Sequence, residues 1–139
     1  MIIAHADGSC RNNPGKASCH WIYLHGDNIV VPHVYHSTDL SNATNNKAEL
    51  VAVENVIAYV LETAKLHGKD TSETDIFIKT DSQTVCSWVK NGVRGDRVWN
   101  KETIQEIVDS INMMREFFKS ITLKWIPRHE NKADPAHKV

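Results

Sequence analysis

Between Asn45 and Leu66 the chain carries Leu50, Val53, Ile57, Val60, Leu61 and Ala64 at helical spacing, and Gly68 follows as a stop signal. This long helix constrains the fold most, because strand-like segments lie on both sides of it. Before it, Met1 to Ser9 reads as a strand. Ala17 to His25 and Asn28 to Ser37 read as two more, joined through the turn signal Gly26-Asp27, and Pro32 demotes the third to an edge. After it come a short buried strand from Asp75 to Lys79 and a short helix bearing Val85, Trp88 and Val89. A second long helix runs through Ile104, Ile107, Val108, Ile111, Met114 and Phe118. A last strand spans Ser120 to Ile126, with Leu123 and Trp125 alternating against Lys124. Three strands followed by helix-strand-helix-strand describe an α/β sheet, antiparallel on one side and parallel on the other. Ligands in such folds bind at the carboxyl ends of the parallel strands.

Acidic residues fall where that rule points. Asp7 ends an apolar run, Glu49 opens the helix after Thr44-Asn45-Asn46-Lys47-Ala48, and Asp81 follows a strand in Thr80-Asp81-Ser82-Gln83. Asp134 closes the stretch Trp125 to Ala133. Each acid alone has a plainer reading: Glu49, in a first helical turn, would complement the macrodipole. Together, carboxylates at strand ends and helix starts can converge. Hard divalent cations such as Mg²⁺ take oxygen ligands from a few carboxylates, water and substrate phosphate. Two such ions roughly 3.5–4 Å apart can activate water and stabilise the leaving oxygen of a phosphodiester. Zinc would want His and Cys at short spacing. The close pair His33 and His36, beside Pro32, reads instead as solvated histidines at a sheet edge.

The motifs Asp7-Gly8-Ser9-Cys10 with Asn13-Pro14-Gly15, Thr44-Asn45-Asn46-Lys47-Ala48-Glu49-Leu50, Thr80-Asp81-Ser82-Gln83 and Asn131-Lys132-Ala133-Asp134 follow in order through nearly the whole chain. In this order the chain resembles ribonuclease H of type 1. The resemblance implies a ribonuclease H-like fold, a five-stranded mixed sheet of order 3-2-1-4-5 flanked by helices. It makes Asp7, Glu49, Asp81 and Asp134 metal-binding carboxylates for two Mg²⁺ or Mn²⁺ ions. It implies endonucleolytic hydrolysis of the RNA strand of an RNA–DNA hybrid, leaving 5′-phosphate and 3′-hydroxyl ends. Gly8, Ser9, Cys10, Asn13, Thr44, Asn45, Asn46 and Gln83 match substrate-contacting positions, with Asn13 and Thr44 resembling a pocket for a DNA-strand phosphate. Amides suit the reading of 2′-hydroxyls across a shallow minor groove. The plainer reading keeps Asn13 in a turn and Thr44 or Asn45 as a helix cap.

Some features depart from the common pattern. Lys16-Ala17-Ser18 replaces the usual glycine-rich run, and the basic, Trp-containing handle of many relatives shrinks to the stretch Trp88 to Trp99. Trp88 reads as core. The patch is modest, so weak and salt-sensitive hybrid binding is expected. His129 precedes Asp134 by five residues, which looks like the short-loop branch of the family. It stands as a candidate for proton transfer or product release beside the reading of an exposed loop histidine. Only five residues follow Asp134, little more than one turn for a helix to anchor it.

At 139 residues the chain is expected to form one domain, residues 1–139, and Met1 opening the first strand suggests a complete product. Its formal net charge of -1 announces no global nucleic-acid binder. Three cysteines without metal-ligand spacing read as buried thiols. The absence of a signal-peptide pattern or bilayer-length apolar run leads to the expectation of a cytoplasmic protein with no membrane partner, and a monomer is expected although sequence gives no oligomeric state. Two other readings stay open: a nucleic-acid-binding module with a vestigial metal site, and a DNA nuclease or integrase on the same sheet.

Overall fold

The computed structural model describes residues 1–10, 15–26, 35–95 and 97–134, and for residues 10, 15–26, 35–39 and 41–43 the backbone alone. Eight regular elements follow one another: β1 (Ile2–Cys10), β2 (Gly15–Gly26), β3 (Tyr35–Ala43), α1 (Asn45–Leu66), β4 (Asp75–Thr80), α2 (Gln83–Asn91), α3 (Lys101–Met114) and β5 (Ser120–Trp125). The strands form one sheet in the order β3-β2-β1-β4-β5. β2 pairs antiparallel with β1 and β3, while β4 lies parallel to β1 and β5.

Alternation along β1 sends Ile2, Ala4 and Ala6 into the core, where they meet Leu50, Val53, Ile57 and Val60 of α1. Small side chains on that face let the helix come close. α2 adds Val85, Trp88 and Val89 to the same core, and α3 adds Ile104, Val108 and Ile111. Thr44 caps α1, its hydroxyl accepting from the Lys47 amide at 3.2 Å. Ser82 caps α2 in the same way through the Val85 amide at 3.1 Å.

Several boundaries differ from the sequence reading. Among the described residues the third strand spans Tyr35–Ala43, running on past Ser37, where the sequence reading ended it. Its ladder with β2 runs from Gly15 opposite Ala43 to Ile22 opposite Tyr35, through a polar stretch beyond Ser37. An edge strand can be polar, because pairing fixes it more than its own hydrophobic pattern. Residues 28–34, with Pro32 and His33, lie outside the described residues. The second long helix stops at Met114, and a 3-10 turn over Arg115–Phe117 lets Phe118 drop into the core. Glu49 stands one turn further along than expected: no acid occupies the first turn of α1. Trp125 is 44% exposed and leaves the apolar alternation of β5. Among the described residues no helix is long and apolar enough to cross a membrane.

Candidate active site

Gly8 determines how closely α1 approaches the sheet. A Cβ at this position would lie 2.4 Å from the Ala48 carbonyl carbon and the Glu49 amide nitrogen. Only glycine lets the helix backbone press onto β1 here. The consequence is chemical, because it brings Glu49 beside Asp7. Asp81 arrives from the parallel neighbour, just past the end of β4 and before the cap of α2. One carboxylate oxygen from each of Asp7, Glu49 and Asp81 falls within 4.8 Å of the others.

Negative charge held this closely resists ionisation. Burial, then the Asp81 and Asp134 carboxylates, push Asp7 up to about 7. Burial, a hydrogen bond to Asp81 and the charge of Asp81 push Glu49 up to about 8. Glu49 therefore holds its proton more tightly than an isolated carboxyl does. Oxygen donors from three elements, with excess negative charge and no His or Cys among them, suit a hard divalent cation.

Asp134 is placed differently. It lies beyond β5 and a 3-10 turn over Arg128–Glu130, in a turn closed by its own amide donating to the Asn131 carbonyl at 3.1 Å. Arg128 Nε donates to Asp134 Oδ2 at 3.0 Å. The guanidinium is exposed and the carboxylate buried. Asn131 is fully buried and joins the segments: its Nδ2 donates to the Ala6 carbonyl at 2.9 Å and reaches Asp81 Oδ2 at 3.5 Å, while its Oδ1 accepts from the Ala133 amide at 3.0 Å. His5 is buried too, and its Nδ1 accepts from the Lys132 amide at 2.9 Å. Burial, with Lys79 and Lys132 nearby, lowers His5 to about 4, so the imidazole is neutral.

Asp7, Glu49, Asp81 and Asp134 line one cleft of about 740 Å³ with Gly8, Ser9, Asn45, Trp125 and Arg128. Asn46 and Gln83 are exposed in the first turns of α1 and α2, outside that lining, and Thr44 is engaged as the α1 cap. Cys10 ends β1 opposite Ala17, and Asn13 lies outside the described residues. His129 is exposed on the 3-10 turn and does not line the cleft. Sequence reasoning passed over Arg128, Trp125 and His5. A signal existed for His5, since residue i−2 of a strand shares the face of Asp7. For Arg128 it lay in a cation six positions before an acid that needs a counter-charge. Trp125 Nε1 donates to the Asp81 carbonyl at 3.1 Å, a contact that only the parallel pairing of β4 and β5 creates.

Lys90, Arg94, Arg97 and Lys101 are exposed in and around the segment linking α2 to α3. The Val93 amide ties this segment to Gln105 Oε1 at 2.9 Å. Lys47 Nζ stands 5.6 Å from the centroid of half-buried Trp99. Trp88, by contrast, is core. Cys86 is half-buried, and burial raises its thiol.

The family model described as RNase H matches residues 1–137. Ribonuclease HI of Streptomyces coelicolor is 27% identical over 135 residues, covering 95% of this chain and 54% of that protein. Ribonuclease H of Pseudoalteromonas atlantica is 33% identical over 98 residues, covering 67% of this chain and 57% of that protein. The chain spans about half the length of these curated relatives. The crystal structure of RNase H1 from Halobacterium salinarum superposes with a TM-score of 0.71 at 27% identity, over 97% of this chain and 92% of that one. LC11-RNase H1 in complex with RNA/DNA hybrid superposes with a TM-score of 0.74 at 23% identity, over the same shares, and shares the fold. With the family match running from the first strand to the last acid of the cleft, the chain belongs to the RNase H family.

Proposed function

We propose that residues 1–139 act as one ribonuclease H domain, a metal-dependent endoribonuclease that hydrolyses the RNA strand of RNA–DNA hybrids. The sheet order 3-2-1-4-5 is its frame. The observation that carries the reading is the convergence of Asp7, Glu49 and Asp81, from three different elements, to within 4.8 Å. Family membership and the ribonuclease names of the relatives support the same chemistry. The hybrid bound to LC11-RNase H1 supports the substrate class.

In this reading Asp7, Glu49, Asp81 and Asp134 hold two Mg²⁺ or Mn²⁺ ions. When bound, such ions supply an activated water and neutralise charge on the leaving oxygen. The chain's own groups do the rest. Asp7 and Glu49, whose protons burial and neighbouring charge hold tightly, would be ionised in holding the cations. Asn131 keeps β1, Asp81 and the Asp134 turn in register. Arg128 balances Asp134 and presents a guanidinium at the mouth of the cleft, where a phosphate would pass. Gly8, Ser9, Cys10, Asn13, Thr44, Asn45, Asn46 and Gln83 are proposed to contact the hybrid, and the cations after α2 to follow its phosphates. His129 keeps a proposed part in proton transfer or product release. We place the protein in the cytoplasm as a monomer.

The test is cleavage of an end-labelled hybrid with Mg²⁺ or Mn²⁺, beside single-stranded RNA, duplex RNA and duplex DNA. Cuts confined to the hybrid's RNA strand, with 5′-phosphate and 3′-hydroxyl ends, are expected. Hybrid binding without cleavage would mark a binding module, and cuts in duplex DNA a different nuclease.

A further inference from the structure

Among the described residues no long element holds Asp134. From Ile126, whose amide donates to the Thr80 carbonyl at 2.8 Å, the described chain reaches Asp134 through one 3-10 turn and one four-residue turn. In that second turn the 3.1 Å bond from the Asp134 amide to the Asn131 carbonyl leaves the Lys132 amide unused by the turn itself. It donates to His5 Nδ1 at 2.9 Å. His5 is 4% exposed and lies two residues before Asp7 on β1, while Lys132 lies two residues before Asp134. Together with the Asn131 bond to the Ala6 carbonyl, this hydrogen bond ties the strand bearing the first acid to the turn bearing the last.

We propose that His5 is a positioning residue for the metal site, its Nδ1 bracing the Lys132 amide so that Asp134 is held in reach of Asp7. The inference rests on the functional reading above. An acceptor at Nδ1 places the ring proton on Nε2. A part-buried backbone N–H that loses its acceptor is destabilised, so the turn would move to find water once the imidazole is gone. The displaced group would be Asp134, and the loss would be felt in metal affinity before it is felt in hybrid affinity.

Four substitutions test the brace from both ends. His5→Phe keeps a buried ring and removes the acceptor. His5→Asn keeps an acceptor, because Oδ1 is bonded to Cγ as Nδ1 is. Lys132→Pro removes the donor at the second position of a turn, where proline is favoured, after Asn131 in an extended conformation of φ -81 and ψ 105. It is measured against Lys132→Ala, which removes the same charge and keeps the N–H. The readouts are Mn²⁺ affinity by calorimetry without nucleic acid, and kcat and KM on the hybrid. His5→Phe and Lys132→Pro are each expected to weaken Mn²⁺ binding and lower kcat by roughly 10–100-fold, the usual cost of losing an outer-shell partner, with KM for hybrid little changed. His5→Asn should recover most of the loss, and the double variant should be no worse than either single one, since both remove the same bond. Should His5→Phe fail to fold, Lys132→Pro carries the test alone. Native Mn²⁺ affinity and kcat in a folded His5→Phe or Lys132→Pro variant would overturn the inference and leave the functional reading standing. A native protein that bound no Mn²⁺ and cut no hybrid would overturn both.

Discussion

The acids of the cleft are held in two ways. Asp7, Glu49 and Asp81 stand on or next to β1, α1 and β4, elements fixed by a continuous apolar core, and one glycine contact sets the spacing of the first two. Asp134 hangs on a short segment fixed by side chains meeting backbone: Asn131 on Ala6, His5 on Lys132, and Arg128 on the carboxylate itself. Regular elements make the first group rigid at no cost in polar groups. The second group is held by hydrogen bonds between side chains and backbone, with an exposed guanidinium on the carboxylate. The difference teaches where such a site is robust and where it can be tuned.

The sharpest break comes from the rigid half. Asp81→Asn should reduce hybrid cleavage by about 10³-fold or more, since metal-based stabilisation is worth several kcal/mol and each ~1.4 kcal/mol is tenfold. Steady-state cleavage at saturating Mg²⁺ checks it, and near-native turnover would remove Asp81 from the metal set. Next is Gly8→Ala. With only 2.4 Å to the α1 backbone, the helix must retreat, and the fold should lose roughly 1–3 kcal/mol in urea unfolding together with most of its activity.

A smaller effect tests the electrostatics of the rigid group. Asp7 and Glu49 bind protons more tightly folded, at about 7 and about 8, than they do unfolded. Their contribution to stability is therefore complete at low pH and is lost as pH rises through those values. His5 runs the other way. Lowered to about 4, it contributes stability above its ordinary value near 6.5 that is lost as pH falls toward 4. Between pH 8 and 6.5 the carboxylates act unopposed. In chelator, the melting temperature should rise as pH falls across that window, and saturating Mn²⁺ should flatten the trend. A melting temperature that falls instead would contradict the crowding of the three acids.

The smallest effect lies outside both groups. Replacing exposed Arg97 with Ala should weaken hybrid binding modestly and reduce the slope of log affinity against log salt by about one. Tight binding that barely changes between low and physiological salt would show that the segment after α2 does not follow phosphates.

The same division explains what could be read from the sequence. The core positions of α1, its end near Leu66 and the strand ahead of Asp81 follow from local periodicity and turn residues, so three acids could be set on elements in advance. The run of β3 beyond Ser37 could not, because its ladder with β2 rather than its own apolar pattern determines it. Nor could the support of Asp134. His5 and Lys132 are 127 positions apart, and nothing local in either marks the pair. Trp125, read as part of an apolar alternation, is half outside the core because the last residue of β5 faces the cleft mouth and bonds to the Asp81 carbonyl.

The most direct measurement of the central claim is anomalous diffraction from crystals of the native protein soaked in Mn²⁺ at pH 8. The account predicts Mn²⁺ among the Asp7, Glu49 and Asp81 carboxylates, with Asp134 turned toward the same cleft. Saturating Mn²⁺ with no density there, or Mn²⁺ bound only elsewhere, would contradict it.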